Sequence, residues 1–272
     1  MTQVVEAKGF KIPIIGLGTW ALRGRECARL VEQAIRIGYR HIDTAQMYDN
    51  ETEVGEGVRA SGLRSDVMVT TKVQPQWLAP ADLERSVKQS LAKLRIDAID
   101  LLLIHWPNPK VPVAETLGAM AKMKREGHVK QIGVSNFTVA LLADAIKVSK
   151  EPLVCNQIEC HPFLDQDKVI AACRKADMAV VAYSPIARGG ANSDKVLLRI
   201  GKAHNKSAAQ VCLRWLTQQG IVVIPRTSKV ERLAENFEIL DIDLSDAEMR
   251  EIAGLGHSSG RIVDWSWSPK WD

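Results

Sequence analysis

The feature of this sequence that most constrains its fold is an alternation that repeats eight times along the chain. A short apolar run is followed each time by a longer amphipathic stretch. The apolar runs are IPIIGLG, YRHIDTA, VMVTTK, AIDLLLIHW, VKQIGVS, LVCNQIE, MAVVAYSP and GIVVIPR. Runs rich in Val and Ile, without polar alternation, are typical of parallel strands buried on both faces. The stretches between them predict helices over 25–37, 51–61, 80–95, 113–126, 138–148, 165–176, 207–219 and 229–238.

Eight strand–helix units without a linker predict an α/β protein, a (β/α)₈ TIM barrel that takes in residues 1–272 as a single domain. Two extra helices are expected over 194–204 and 245–254. Near the start, Lys8-Gly9 stands between short apolar runs and predicts a β-hairpin that closes the barrel floor. In such barrels the catalytic residues lie at the carboxyl ends of the strands and in the loops that follow.

The composition excludes several classes of protein. The chain has 272 residues, of which 46% are hydrophobic and 25% charged, with a net charge of +4. Its basic residues are scattered, without the cluster of basic and aromatic residues that would indicate nucleic-acid binding. The start has no apolar signal segment, and no run approaches the roughly 18 apolar residues of a membrane span. We expect a cytoplasmic protein that binds neither nucleic acid nor membrane.

The five cysteines predict neither a disulfide framework nor a metal site. They are odd in number, lack a CxxC pair and stand mostly among apolar neighbours, so we expect reduced thiols in the core. Cys155 and Cys160 precede His161, but this spacing fits no zinc pattern and Pro162 follows at once.

The segment GLGTWA at 16–21 offers an alternative, because it fits most of a dinucleotide-binding fingerprint after a strand. Three features count against that interpretation. Trp20 is bulky where backbone should approach a pyrophosphate, and the helical pattern starts only beyond Gly24. Asp43 is followed by more chemically active side chains than a ribose-binding acid requires.

Polar side chains end the predicted strands from the second onward. They are Asp43 with Tyr48 close behind, Lys72, His105, Ser135 and Asn136, Gln157, Tyr183 and Ser184, and Arg226 and Thr227. Each alone has an ordinary explanation, since a Lys at a strand end is usually solvated and a His beside Trp is usually packed in a core. Converging on one rim of a barrel, they indicate an active site.

The residue types suggest proton transfer to a carbonyl. Tyr48 has an unperturbed pKa near ~10, too high for efficient proton donation at neutral pH. The ammonium of Lys72 should lower that pKa, and Asp43 can keep a buried Lys72 charged. His105 can donate a hydrogen bond to a substrate carbonyl. Proton donation to a carbonyl oxygen suits its reduction to an alcohol. The sequence shows neither a metal cluster nor an activated Ser or Cys, so the reducing equivalent must come from a hydride cofactor.

The sequence resembles the aldo-keto reductases over nearly its whole length. The blocks that carry the resemblance are GLGTW at 16–20, GYRHIDTAQMYDNE at 38–51, TK at 71–72, LLLIHWP at 101–107, IGVSNF at 132–137, NQIECHP at 156–162, AYSP at 182–185 and IPRTSKVERLAENF at 224–237. Within the family, DTAQMYDNE, LIHWPNP and the terminal PKWD are most similar to the short bacterial branch of 2,5-diketo-D-gluconate and methylglyoxal reductases. The resemblance implies reduction of a small aldehyde or ketone, of the 2-oxoaldehyde or keto-sugar acid type, to the alcohol.

The resemblance also implies a role for each matching residue. Asp43, Tyr48, Lys72 and His105 match the catalytic tetrad, with Tyr48 as proton donor, whereas His41 has a structural role. The implied cofactor-binding residues are Gly18, Thr19, Trp20, Asp43, Ser135, Asn136, Gln157, Tyr183, Ser184, Arg226, Thr227, Arg232, Glu235 and Asn236. The implied substrate-binding residues are Trp20, Tyr48, Trp77, His105 and Trp106.

The implied cofactor is NADPH or NADP+. Ser135, Asn136 and Gln157 match residues that hold the nicotinamide carboxamide, and Tyr183 matches the aromatic residue that stacks on the ring. Ser184 begins the loop near the pyrophosphate. Binders of the 2′-phosphate are matched by Arg226, Thr227 and Arg232, and contacts to adenine by Glu235 and Asn236. The family often has Lys and Ser where Arg226 and Thr227 stand, but both replacements keep a cation and a hydroxyl.

Seven Trp residues against three Tyr indicate an aromatic pocket. Trp20, Trp77 and Trp106 follow strand ends, and Trp265, Trp267 and Trp271 lie in a short tail. The tail residues could wall the pocket or merely anchor the terminus on the barrel.

Two other classes of function stay open at this point. A protein of the same fold could bind the nucleotide mainly as a regulatory subunit of a channel, although the whole tetrad is present here. A metal-dependent hydrolase or isomerase would need clustered histidines, and the six His residues are dispersed along the sequence. With a closed barrel and no coiled-coil heptad or added domain, we expect a monomer whose partner is a small carbonyl compound.

Overall fold

The computed structural model describes residues 3–272, and the chain begins with a hairpin. Strands β1 (Val4–Ala7) and β2 (Phe10–Pro13) pair antiparallel. Lys8 and Gly9 form the turn with φ angles of 51° and 75°. Two consecutive left-handed residues suit a two-residue hairpin turn, and glycine adopts such a conformation without steric cost. The predicted hairpin is confirmed.

Eight parallel strands follow, adjacent in the sheet in the order of the chain. They are β3 (Leu17–Gly18), β4 (His41–Asp43), β5 (Met68–Val73), β6 (Ile99–Ile104), β7 (Val129–Ser135), β8 (Leu153–Glu159), β9 (Ala179–Tyr183) and β10 (Val222–Val223). Residues 14–18 return to residues 223–225: the Gly16 and Val223 amides donate to Val223 O and Ile14 O, and the Gly18 amide to Pro225 O. The sheet is therefore a closed barrel, which confirms the predicted fold class.

Helices cover the outside of the barrel. They are α1 (Gly24–Ile37), α2 (Glu51–Ala60), α3 (Pro80–Leu94), α4 (Val113–Arg125), α5 (Val139–Val148), α6 (Asp167–Lys175), α7 (Lys195–His204), α8 (Ala208–Gln218), α9 (Val230–Phe237) and α10 (Asp246–Ala253). Every predicted helix is present, and the two extra ones are α7 and α10. Gly127 and Gly220, just past α4 and α8, have φ angles of 81° and 74°, as glycines beyond helix ends commonly do.

Two predicted strands have different bounds in the structure. The run IPIIGLG spans the end of the hairpin and the start of the barrel, because β2 ends at Pro13 and β3 is Leu17–Gly18. Hydrophobicity does not reveal the break, since residues on both sides of it are buried. The run GIVVIPR pairs regularly only at Val222–Val223. Pro225 lacks an amide hydrogen and cannot donate to the ladder, although its oxygen accepts from the Gly18 amide.

Apolar side chains of the hairpin and of the strands fill the amino-terminal end of the barrel interior. Ala7 and Ile12 of the hairpin join an apolar cluster with inward-facing residues such as Leu101, Val154 and Val222. The hairpin thus closes the amino-terminal end and leaves the carboxyl end open for a cavity. All five cysteines are buried and free, which confirms the expectation of core thiols. Over residues 3–272, no helix is both long enough and apolar enough to cross a membrane.

Candidate active site

A cavity of about 750 Å³ opens at the carboxyl end of the barrel. The strand ends and the loops after them form its surface. Of the residues predicted for the site, those that line it are Gly18, Thr19, Trp20, Asp43, Tyr48, His105, Trp106, Ser135, Asn136, Gln157, Tyr183, Ser184, Arg226, Thr227 and Arg232. The structure therefore brings together residues that are separated by more than two hundred positions in the sequence.

Lys72 lies beneath the cavity at the centre of a hydrogen-bonded group. Its ammonium Nζ is 2.5 Å from Asp43 Oδ1, 2.9 Å from Thr44 O and 3.2 Å from the Tyr48 hydroxyl. The side chain is fully buried and that of Asp43 is 2% exposed. Tyr48 comes from a 3₁₀ turn, Gln46–Tyr48, directly after β4, which places its ring over the ammonium at 4.8 Å. Asp43, Lys72 and Tyr48 therefore share one hydrogen-bonded network.

The charges in this network follow from burial and pairing. Burial alone would lower the pKa of Lys72, but Asp43 and Tyr48 raise it to a net value above that of a free lysine. Burial also raises the pKa of Tyr48, and the Lys72 ammonium reduces that rise without cancelling it. The expected net decrease in the pKa of Tyr48 is not found, because burial outweighs the ammonium. The phenol of Tyr48 is therefore protonated at neutral pH, and the Lys72 ammonium beside it offsets part of the rise in its pKa.

His105 faces Tyr48 across the site. The two ring centroids are 5.6 Å apart with the planes nearly perpendicular, at 78°. Burial, with a smaller contribution from Lys72, holds the pKa of His105 well below that of a free imidazole. The ring is therefore neutral and can donate one hydrogen bond without carrying a charge. Its Nδ1 is buried without a hydrogen-bond partner among the described residues.

Asn136 connects three strand ends beside this group. Its amide Nδ2 donates to His105 O at 2.9 Å and to Ser135 Oγ at 3.1 Å, and its Oδ1 accepts from the Tyr183 hydroxyl at 2.8 Å. It adopts a left-handed conformation, φ 63°, which Asn tolerates better than most residues. Gln157 Nε2 donates to Asp43 Oδ2 at 2.7 Å. The amide-rich part of the cavity is therefore fixed by bonds within the protein.

The loop after β9 crosses the cavity towards β3. Ser184, Ala187 and Arg188 have positive φ angles of 50°, 48° and 50°, which turn the loop sharply. The Arg188 guanidinium carbon then lies 5.2 Å from the centroid of the Trp20 ring, within the range of a cation–π contact. The loop therefore bridges opposite sides of the cavity.

Positive charge collects at the other end of the cavity. Arg226 and Arg232 are exposed there, together with Lys229. The Thr227 hydroxyl accepts from the Lys229 amide at 3.0 Å, which shapes the turn into α9. Among the described lining residues Asp43 is the one carboxylate, and it is paired with Lys72. This end of the cavity suits an anion.

Comparison with protein families decides the kind of enzyme. The family model described as the aldo/keto reductase family matches residues 14–257. The chain belongs to the aldo/keto reductase family. Its members are oxidoreductases, its relatives reduce carbonyl compounds, and the family generally uses a nicotinamide cofactor.

Individual relatives of this aldo-keto reductase extend the comparison. It is 39% identical over 265 residues to methylglyoxal reductase DkgB of Escherichia coli O157:H7, covering 96% of this chain and 99% of the relative. It is 38% identical over 249 residues to the glyoxal reductase of Bacillus subtilis, covering 91% and 90%. A crystal structure of a protein proposed to be 2,5-diketo-D-gluconic acid reductase B matches with a TM-score of 0.98 and 43% identity, covering 100% of this chain and 98% of that one. The resemblance inferred from the sequence is confirmed.

Four of the predicted site residues do not reach the cavity surface of the reductase. Lys72 lies behind Tyr48, with its ammonium 3.2 Å from the Tyr48 hydroxyl. Trp77 is half-buried in a 3₁₀ turn, Pro75–Trp77, and packs on the outer core. On α9, Asn236 is buried, while Glu235 is exposed and its backbone oxygen accepts from Gln210 Nε2. The structure thus gives no support for pocket contacts by Trp77, Glu235 or Asn236.

Sequence reasoning missed other lining residues of the reductase. They include Met47, Ile186, Arg188, Asn192, Ser228, Lys229 and Val263. Two of them could have been inferred from their neighbours in the sequence. Met47 precedes Tyr48, and Lys229 lies between two predicted phosphate ligands. Val263 carried no such signal, because its approach depends on how the tail folds back.

The tail supplies part of the aromatic wall. Trp265 and Trp267 line the cavity and stack with planes 5° apart. The Trp267 ring meets Trp106 edge-on, with centroids 5.1 Å apart. Trp271 also packs on Trp106, at 6.1 Å, but does not line the cavity. The tail therefore both anchors itself and walls the pocket.

His41 lies outside the reacting group. It is fully buried, and its Nε2 is 3.1 Å from Thr70 Oγ1 on the neighbouring strand. Burial lowers the pKa of His41 to about 4, so the ring is neutral at physiological pH. These contacts agree with the structural role expected of it.

Proposed function

We propose that this aldo-keto reductase uses NADPH to reduce a small aldehyde or ketone, of the 2-oxoaldehyde or keto-sugar acid type, to the alcohol. The observation that carries the proposal is the contact of 3.2 Å between the Lys72 ammonium and the Tyr48 hydroxyl, within a buried pair with Asp43 and beside a neutral His105. A phenol held on a buried cation is suited to give up its proton, since the cation stabilises the phenolate that remains.

Each polar group has a separate task in this mechanism. His105 donates a hydrogen bond to the carbonyl oxygen and orients it. Tyr48 transfers its proton to the oxygen as negative charge develops there, and Lys72 stabilises the phenolate. Asp43 keeps Lys72 charged in the barrel. The reduced nicotinamide, when bound, supplies the hydride to the carbonyl carbon.

The amide-rich part of the cavity fits a nicotinamide carboxamide. Gln157 uses its Nε2 on Asp43, so its Oε1 is left to accept from the carboxamide nitrogen. Ser135 Oγ accepts from Asn136, so the hydroxyl hydrogen is left to donate to the carboxamide oxygen. Both amide hydrogens of Asn136 are used within the protein, and its Oδ1 holds the hydroxyl of Tyr183, on which the ring would stack.

The cationic end of the cavity supports NADPH over NADH. Two guanidinium groups, Arg226 and Arg232, can each bind two phosphate oxygens through their fork of donors. Lys229 and the hydroxyl of Thr227 add to the same anion-binding site. An acid that would favour the free ribose hydroxyls of NADH does not occur among the described lining residues at this end.

The cellular setting belongs to the same proposal. Five buried free thiols suit a reducing compartment, and we infer a cytoplasmic protein. A barrel with a closed sheet leaves no open edge of the main sheet for pairing with another chain, and we infer a monomer.

The test is turnover of NADPH with methylglyoxal, 2,5-diketogluconate and an aromatic aldehyde, for wild type and Tyr48→Phe. We expect the variant to lose about 10²–10⁴-fold in kcat and to keep its Kd for NADPH within about twofold. Tyr39→Phe is the matched control, because that hydroxyl is also buried but donates to Leu233 O, and neither residue lines the cavity. Near-full activity in Tyr48→Phe would refute the mechanism.

A further inference from the structure

Glu159, the last residue of β8, has a buried carboxylate that takes no part in the mechanism above. The carboxylate holds the tail: Oε1 accepts from the Ile262 amide at 2.7 Å and Oε2 from the Val263 amide at 2.9 Å. His161 Nε2 lies 3.0 Å from Oε1. Both side chains are fully buried. One charged group at a strand end therefore fixes two consecutive amides more than a hundred residues away in the sequence.

The tail needs such a contact because residues 261–272 form neither helix nor strand. Just before it, Gly260 passes so close to the chain that a Cβ there would lie 1.8 Å from Phe163 O. From the second anchored residue onward the tail reaches the cavity, which Val263, Trp265 and Trp267 line. The edge contact between Trp267 and Trp106 then joins the tail to the residue after His105.

We propose that Glu159 is a positioning residue for the substrate pocket, which fixes the tail wall against Trp106 and so sets the affinity for carbonyl compounds large enough to touch that wall. The proposal rests on carbonyl reduction at this site and adds the residue that shapes it. Hydrogen bonds to an ionised carboxylate are stronger than those between neutral groups. Val263 lines the cavity and directly follows Ile262, whose amide is bound by Glu159. Loss of the hydrogen bonds to Glu159 would therefore directly affect the tail residues that form the wall.

A purely structural role is the competing explanation, since any buried carboxylate stabilises a fold by accepting hydrogen bonds. The chain offers a matched control in Asp100, on β6. Asp100 is 6% exposed, and its Oδ2 accepts from the Val69 amide at 2.9 Å, near the amino-terminal end of the barrel. Asp100 also pairs with Arg64 and Lys130, so Asp100→Asn removes the charge of a buried strand carboxylate on the side of the barrel opposite the tail.

The experiment compares Glu159→Gln with Asp100→Asn. Glutamine keeps the size of the side chain but replaces one acceptor oxygen with an amide nitrogen that cannot accept from a backbone amide. Four quantities are measured: KM for an aromatic aldehyde, KM for methylglyoxal, Kd for NADPH, and the hydrogen-exchange rates of the Ile262 and Val263 amides. Glu159→Asp, which keeps the charge and shortens the reach, serves if the glutamine variant does not fold.

We expect Glu159→Gln to raise KM for the aromatic aldehyde roughly tenfold, as the loss of one hydrogen bond to a buried charge implies, and KM for methylglyoxal less than about twofold. Kd for NADPH should stay within about twofold, and both tail amides should exchange at least about tenfold faster. Asp100→Asn should leave both KM values and both tail amides unchanged.

Three results would overturn the proposal. The first is unchanged exchange at both tail amides in Glu159→Gln. The second is an equal rise in both KM values, and the third is the same rise in Asp100→Asn. Failure of the proposed function is a separate result, because it would leave wild type without turnover. Binding of the aldehyde, followed by quenching of Trp fluorescence, would then replace KM in the same comparison.

Discussion

Lys72→Met tests the centre of the site, because it removes a charge while keeping an unbranched side chain. Lys72 Nζ donates to Asp43 Oδ1, Thr44 O and the Tyr48 hydroxyl, and the substitution removes all three hydrogen bonds. Asp43, 2% exposed, would be left as a buried carboxylate without its counter-ion. One donor would remain to it, Gln157 Nε2 at 2.7 Å from Oδ2.

The magnitude follows from that remaining bond. Removing one partner of a buried ion pair typically costs 3–5 kcal/mol, and the Gln157 bond places this case near the lower end, at about 3 kcal/mol of the free energy of unfolding. Reductase activity should fall at least about 10²-fold, because the variant has no cation to stabilise the Tyr48 phenolate.

The assay is urea unfolding and NADPH turnover for wild type, Lys72→Met, Asp43→Asn and the double variant. The double variant should be more stable than either single variant, since neither charge is left alone, and should stay inactive. The raised pKa of Lys72 means that the stability from this pair is present below about pH 10 and is lost as the pH rises through the still higher folded value. The reasoning would be refuted if Lys72→Met had the stability and turnover rate of wild type. It would also be refuted if the loss of unfolding free energy in the double variant equalled the sum of the losses in the two single variants.

Three further predictions concern other parts of the molecule. Arg232→Ala should weaken NADPH binding about 10-fold or more and leave the affinity for NADH unchanged, because a charged hydrogen bond contributes about 1.5–3 kcal/mol. Dissociation constants for both cofactors test this, with the exposed Arg250→Ala as control. Burial lowers the pKa of His41 from about 6.5 when unfolded to about 4, so this residue's share of stability is complete above pH 6.5 and falls by about 3 kcal/mol towards pH 4. Urea unfolding of wild type and His41→Asn should show the flatter pH dependence in the variant, and parallel curves would contradict the assignment. Sedimentation at micromolar concentration should give a monomer; a stable dimer would overturn that inference.

Much of the fold was predictable because its signals are local. Each strand or helix carries its own apolar period, and parallel barrels place successive strands side by side, so the order of residues such as Asp43, Lys72 and His105 around the rim followed from chain order. The first strand was predicted less well. Ile12 and Leu17 are equally apolar, and only the return of the chain from the hairpin separates them into two sheets.

The site was less predictable where burial or distance in sequence decides the outcome. Trp77 follows a strand end like Trp106, yet its 3₁₀ turn directs it to the outer core. The net direction of the pKa of Tyr48 depends on how far burial exceeds the effect of Lys72, which sequence cannot measure. Glu159 belongs to a recognisable block, but its partner amides at 262 and 263 lie in a tail without periodicity.

The closure of the barrel has a dynamic consequence. Between residues 14–18 and 223–225 the circle of strands is joined by three backbone hydrogen bonds, and a Cβ on Gly18 would lie only 2.7 Å from Ile224 O. Gly18, part of the segment that fits a nucleotide-binding fingerprint, is therefore needed for the first and last strands to approach each other. The pairing between these two strands is short compared with the rest of the barrel. Arg226 and Thr227 directly follow these hydrogen-bonded residues, so a local opening between the first and last strands would distort the proposed phosphate subsite. A dinucleotide bound to those residues would stabilise the pairing of the first and last strands. Hydrogen exchange at the Gly16 and Gly18 amides should then be slower with the dinucleotide bound than without it.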